Sequence, residues 1–316
     1  MKRFICMKWL ICLVALSALL SVPEFARAQR DPSPKIVPAI PEKAAYAPKQ
    51  PRKLLVFNTK RGHFDSALAA AKAMELMGKK TGAWSTTITD DPACFEADSL
   101  KGFDAVCINN TNGFDIFADA LTSKATQEEK DAAAKNSKRR EDALWAWLKT
   151  GKGVIGFHSA TDSRSATLPE LFTGKFNGHP WLGNEKVTVR VDDPKHPLTA
   201  SLKGESFDIV DEIYQFTDKS HDKHRDKLRI LLTLDMTKTP NKGRRDDQDY
   251  AVAWIKKVGD GRVFYSSLGH NPDVFWNPGV LKFYQDGIQF ALGDVECDTR
   301  PSHEVGIKAQ PIPVKK

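Results

Sequence analysis

The sequence predicts a three-layer α/β domain: a doubly wound, mostly parallel sheet held between two layers of helices. Short, continuous apolar runs recur along the chain, the pattern of strands covered on both faces. Helical patterns alternate with the first of these runs at the spacing of crossover connections. Residues 53–294 are enough for one such domain and contain no internal repeat.

Taken in order, the chain opens with Lys2, Arg3 and Lys8, an apolar run over residues 9–20, and a close in Ala26, Arg27 and Ala28. An apolar core this short, followed by Pro23, reads as a secretory signal peptide over residues 1–28 and not as a membrane span. The mature chain is therefore expected to begin near Gln29 and to be exported, to a periplasm or beyond the cell. Residues 29–52 are rich in proline and poor in apolar periodicity, which predicts an extended, mobile linker. The expected strands are LLVFN (54–58), DAVCINN (104–110), GVIGFH (153–158), RILLTLD (229–235), AVAWIK (251–256) and GRVFYSSLG (261–269). Helices are expected over FDSALAAAKAMELMGKK (64–80), over the stretch that begins at Thr126, and over 280–292. Thr126 with Glu129 three residues on has the form of a capping box, and Gly151 marks the stop of that helix. Residues 186–214 read as a strand-rich, antiparallel extension. Residues 295–316 read as a loose tail.

Composition narrows the function. The full chain carries a net charge of +7; without residues 1–28 it keeps 43 bases against 39 acids, or +4. The bases are interleaved with acids and form no stripe, so a nucleic-acid surface is not indicated. The mature chain would hold three cysteines, Cys94, Cys107 and Cys297, an odd number without CxxC spacing. A disulfide scaffold or zinc ribbon is unsupported, although one bridge is compatible with an oxidising compartment.

Open α/β sheets bind ligands beyond the carboxyl ends of their strands. Reactive side chains collect there in this sequence. His158 follows GVIGF, Asp211 and Glu212 follow FDIV, His270 follows GRVFYSSLG, and His179 follows FNG. Each alone has a plain structural reading: a hydrogen-bonded imidazole, a solvated acidic pair, or caps in the SATDS turn that holds Ser159 and Asp162. Asp211 and Glu212 would point to opposite faces of a strand, so both serve one pocket only if the strand has already ended. GFHSA has the outline of a nucleophile elbow but carries His158 at the nucleophile position and Ala160 at the last, so Ser159 is a weak nucleophile candidate. Imidazoles and carboxylates without a nucleophile suit general acid/base work. They are also ligands for zinc and related divalent ions, though no HExxH or HxH spacing supports a metal here. Trp181, Tyr214, Phe216 and Trp276 are candidates to stack on a sugar ring, or else core aromatics.

The ordered motifs FNT, INNTNG, GKGVIGFHSATDS, FNGHPW, HPL, DEIYQF, LLTLD, AVAWIKKVGDGRVFYSSLGH and GIQFALGD resemble the ThuA-like (trehalose utilisation) family from residue 53 to residue 294. The resemblance implies a flavodoxin-like sheet, similar to class I glutamine amidotransferases but without their cysteine. It also implies a link to trehalose, related disaccharides and their 3-keto derivatives. By motif it carries His158, Asp162, His179, Asp211, Glu212, Tyr214 and His270 into the site. One departure concerns the first strand, where relatives show GFRH and this chain has GHFDS, so that Asp65 stands for the usual histidine with His63 two positions earlier. Three classes of function stay open on these residues. The first is an exported carbohydrate enzyme in which His158 or His270 moves the proton, Glu212 orients, Asp162 supports the turn, and His179, Asp211, Tyr214, Trp181 and Asp65 line the substrate. The second is a non-catalytic sugar-binding or scaffold protein, and the third a metal-dependent hydrolase.

Overall fold

A computed structural model describes residues 31–59, 64–216 and 224–311. The expected signal peptide and His63 lie outside the described residues. Among the described residues nine strands form one sheet: β1 (Lys53–Asn58), β2 (Ser85–Thr89), β3 (Ala105–Asn109), β4 (Gly153–Phe157), β5 (Lys186–Val191), β6 (Phe207–Val210), β7 (Arg229–Leu234), β8 (Ala251–Val258) and β9 (Gly261–Ser266). Their order is β2-β1-β3-β4-β9-β8-β7-β5-β6. Pairings from β2 across to β9 are parallel, and those from β9 out to β6 are antiparallel. The antiparallel part is thus larger than the sequence predicts, because β7 and β8 are as apolar as the parallel strands and burial, not strand direction, sets that pattern.

Five helices matter for the layers: α1 (Ser33–Ala39), α2 (Phe64–Thr81), α3 (Gln127–Lys149), α4 (Thr167–Phe172) and α5 (Pro278–Leu292). Alternation along the strands divides the core. Leu54 and Val56 of β1, with Ile155 and Phe157 of β4, pack with α2 and α5 on one face. Leu55, Val106, Val154 and Val263 pack with α3 and α4 on the other. The Thr126 and Glu129 capping box opens α3, and Gly151 follows its end with φ +92°. Asn277 caps α5 by accepting from the backbone N–H groups of Gly279 and Val280, and Gly293 closes it in the left-handed region.

Two segments depart from the sequence reading. Residues 32–52, expected to be a mobile linker, form a strap across the α2 and α5 face. Ile36, Ala39 and Ile40 are buried in that core, and Gln289 of α5 bonds both the N–H and the carbonyl of Tyr46. Gln285 donates to the Lys43 carbonyl, and Arg52 pairs with Asp294 at 2.7 Å. The side-chain amides of α5 supply the partners that a proline-rich backbone cannot supply itself. The tail, expected to be loose, is also tied down. Ser302 bonds backbone groups of Leu228 and Ile230, and Gln310 bonds Asp235 and Met236. Cys94, Cys107 and Cys297 are free thiols. Among the described residues no helix is long and apolar enough to cross a membrane.

Asp286, 4% exposed, lies on α5, which packs against the turn Pro197–Leu202, and burial pushes its carboxyl up to about 7. The folded chain then holds a proton that the unfolded chain releases near pH 4, so stability falls from about pH 4 to about pH 7 and is level above. Asp286→Asn is expected to raise the melting temperature at pH 8 by several degrees and to change it little at pH 4, read by thermal unfolding at both values. An equal effect at the two values would show that the carboxyl is not held protonated.

Candidate functional site

The site forms where β4, β6 and β9 end. Tyr265 of β9 donates to the His158 carbonyl at 2.7 Å, and Thr161 lies 3.0 Å from the same hydroxyl. These contacts hold His158 at φ +43°, a left-handed conformation that costs a non-glycine residue about 1–2 kcal/mol. Its ring is wholly buried, with Nδ1 2.8 Å from the Ser267 carbonyl and a face against Tyr214 at a centroid distance of 4.4 Å. Because a carbonyl only accepts, Nδ1 carries the proton and Nε2 is the atom directed to the site.

Strand β6 ends at Val210, so the two acids that follow escape strand alternation and both serve the site. Asp211, fully buried, accepts from the backbone N–H groups of Gly269 (2.7 Å) and Asn271 (2.8 Å), which sets the loop that carries His270. Asn271 in turn donates to the Gly183 and Val210 carbonyls. Glu212 then faces three imidazoles. Its Oε2 lies 3.3 Å from His158 Nε2 and 3.3 Å from His270 Nδ1, and its Oε1 lies 3.2 Å from His179 Nδ1. His179 reaches it because residues 176–181 run antiparallel beside 213–216. The backbone bonds Asn177 to Gln215, Gln215 to Gly178 and Ile213 to Trp181 fix that register.

Charge follows from this packing. Burial alone would push the Glu212 carboxyl up, but the facing His158 and His270 rings hold it well below the usual carboxylate range. Glu212 correspondingly raises His270, against burial. Burial raises the carboxyls of Asp211 and Asp162, the latter partly offset by His158 and His179. Side-chain exposure grades outward from His158 (0%) and Glu212 (9%) to His270 (25%) and His179 (45%).

Of the residues singled out in the sequence, His158, His179, Glu212 and His270 meet directly, and Asp211 and Asp162 support them. Asp162, half-buried, closes the turn after His158, and its carbonyl accepts from Gly113. Tyr214, 3% exposed, walls His158 instead of facing a ligand. Trp181 is 1% exposed, donates to the Pro240 carbonyl and packs on Tyr250, so it has no free face for a sugar. Phe216 packs on Trp254 and Tyr265 in the core. Asp65 lies exposed in the first turn of α2, and among the described residues no hydrogen bond or ion pair joins it to the cluster. His196 is structural, bonded to the Asp298 carbonyl and to Leu198 N–H.

Sequence reasoning missed Asn110, Ser267 and Gly183. Asn110, at φ +48°, takes a bond from Ser159 and gives bonds to Ser66 and the Gly269 carbonyl, which ties the ends of β3, β4 and β9 together. The paired asparagines of INNTNG were its signal, since Asn tolerates the left-handed region. Gly183 passes so close to His270 that a Cβ there would meet Cδ2 at 2.7 Å. At the carboxyl ends of β1 and β3, where strand order reverses, lies a cavity of about 400 Å³ lined by Phe57, Thr59, Asp90, Phe114, Asp115 and Arg164 among others, and by none of the cluster residues.

The model of the family described as ThuA, trehalose utilisation, matches residues 53–291. A protein described as ThuA-like from Bacteroides uniformis is 22% identical and superposes with a TM-score of 0.57, over 78% of this chain and 93% of that one. A second, from Parabacteroides merdae, is 12% identical with a TM-score of 0.51, over 80% and 99%. A cytoplasmic protein of Salmonella typhimurium is 11% identical with a TM-score of 0.50, over 76% and 98%. At these identities the likeness is one of fold. No curated protein matches the chain.

Asp211→Asn offers an N–H to a backbone N–H and leaves one buried donor without an acceptor, at about 1–3 kcal/mol. The variant is expected to melt several degrees lower and to expose the 269–271 amides to faster hydrogen exchange. Unchanged exchange there would show that Asp211 does not hold the His270 loop.

Proposed function

Because the chain belongs to the ThuA, trehalose utilisation, family, we propose that it transforms a disaccharide or its keto derivative by proton transfer at this edge of the sheet. One observation carries the reading: a nearly buried carboxylate, Glu212, held among imidazoles from three separate segments, where open α/β sheets receive ligands. The geometry favours His179 over His158 as the proton-transfer group. His158 is enclosed and its Nδ1 is engaged, whereas His179 is the most exposed of the three and is backed by Glu212 through Nδ1, the arrangement in which a carboxylate orients an imidazole base.

In the proposed step the Nε2 lone pair of His179 takes the proton from the carbon next to a sugar carbonyl. The C–H electron pair forms the C=C bond of an enediolate, and the carbonyl π pair moves onto oxygen. The imidazoles of the inner cluster, His158 and His270, stabilise that oxygen, and the imidazolium of His179 returns the proton to the former carbonyl carbon while the neighbouring hydroxyl passes its proton to the enediolate oxygen, so that the carbonyl moves by one carbon. The cavity at the ends of β1 and β3 is of the size that accepts a small molecule. We place the protein outside the cytoplasm on the strength of residues 1–28; an N-terminus at Gln29 in the exported fraction would support this, and a full-length chain confined to the cytoplasm would refute it.

Turnover of 3-keto and parent disaccharides in D2O is the test, with deuterium uptake beside the carbonyl expected. His179→Ala is expected to lower kcat about 10²–10⁴-fold with KM changed only a few-fold. Saturable sugar binding without product or exchange, or full activity in His179→Ala, would overturn the reading.

A further inference from the structure

We infer that His158 Nε2, Glu212 Oε2 and His270 Nδ1 form a seat for one divalent ion of the zinc and cobalt type. The inference rests on the proposed function above and deepens it, by naming what stabilises the enediolate oxygen.

The three ligand atoms lie within 4.8 Å of one another and come from the ends of three different strands. The two edges that meet at Glu212, His158 Nε2 to Oε2 and His270 Nδ1 to the same oxygen, are both 3.3 Å. Charge-assisted N–H···O⁻ bonds are shorter, about 2.7–2.9 Å. In a tetrahedral site with bonds of about 2.0–2.1 Å, neighbouring ligand atoms stand about 3.3–3.4 Å apart. Both Glu212 edges match that spacing, and the third, between the two imidazole nitrogens, lies within 4.8 Å.

The tautomer of His158 points the same way. Its Nδ1–H donates to the Ser267 carbonyl at 2.8 Å, so in the neutral ring Nε2 presents a lone pair to a carboxylate oxygen. In the neutral ring two lone pairs would face each other across 3.3 Å, which a proton or a metal cation between them resolves, and a backbone carbonyl fixing the far nitrogen is the usual support for a metal-binding imidazole. The other ligands are supported as firmly. Asp211 sets the Gly269–Asn271 backbone on either side of His270, and Gly183 leaves room for its ring. Two imidazoles and one carboxylate favour zinc-like ions over magnesium or calcium, which prefer oxygen alone. The side-chain exposure of His270 and His179 leaves an approach for a fourth ligand, as catalytic sites with three protein ligands require. A bound ion would act as a Lewis acid toward a carbonyl oxygen.

The competing occupant is a proton that makes His158 an imidazolium. Titration of the chelator-treated chain with Zn²⁺ and with Co²⁺, by calorimetry and visible absorption, separates the two. One ion per chain is expected, with the Co²⁺ bands of a four- or five-coordinate ion and no competition from Mg²⁺. His270→Ala and Glu212→Gln are expected to weaken uptake at least about a hundredfold. Because His158 is buried and conformationally strained, the partly exposed His270 is the principal variant, with its fold checked by circular dichroism. A folded wild-type chain that takes up neither ion in stoichiometric amount overturns the inference, as does uptake that both variants leave unchanged. Sugar turnover by the metal-free chain at full rate overturns the ion's role at the enediolate oxygen and leaves the proposed function standing. Stoichiometric Co²⁺ uptake by a chain that turns over no disaccharide supports the seat and overturns the function.

Discussion

A carboxylate removed from water must be compensated, and at the carboxyl edge of this sheet that requirement organises everything else. The Glu212 side chain is 9% exposed, and an ionised group so placed is tolerable only with close, well-aligned partners. Three imidazoles meet it, and each is fixed from behind by bonds other than its contact with Glu212. Ser267 and Tyr265 hold His158, the Asp211 carboxylate holds the His270 loop, and the antiparallel run beside residues 213–216 holds His179. The positions are thus set by buried hydrogen bonds to backbone, which vary little, and not by the charge–charge contacts themselves.

The antiparallel half of the sheet acquires its purpose from the same requirement. Parallel strands deliver only β4 and β9 to this part of the rim, and with them His158 and His270. The acid and the third imidazole come from the extension, where β6 stops at Val210 and its continuation pairs with residues 176–181. Had β6 run two residues further, Asp211 and Glu212 would have faced opposite sides, and one acid could not have set the loop while the other met the rings.

The parallel core was legible because its strands are buried on both faces, as was α3 from its capping box and glycine stop. The gathering of His158, Glu212 and His270 was legible too, since all three follow strand-like runs. What escaped was held by partners remote in sequence. The strap over residues 32–52 looks mobile by composition, and its partners Gln285 and Gln289 lie more than 240 residues away. Trp181 reads equally well as platform or core until Pro240 and Tyr250 are seen to enclose it. Asn110 bonds Ser66, Ser159 and Gly269, and Ser267 bonds His158, all across separations that no periodicity announces.

The turn after β4 favours the proposed proton transfer over covalent attack. Strand-to-helix turns of this kind present a nucleophile in strained backbone, and the strain persists here, at φ +43°. The residue in that conformation is an imidazole with one nitrogen engaged by a carbonyl, and the adjacent Ser159 hydroxyl, wholly buried, donates to Asn110. Neither side chain is placed to form and break a bond to carbon. Strain retained without a nucleophile instead aims His158 Nε2 at Glu212, so the turn serves to complete a charged centre whose geometry must be kept to a few tenths of an ångström.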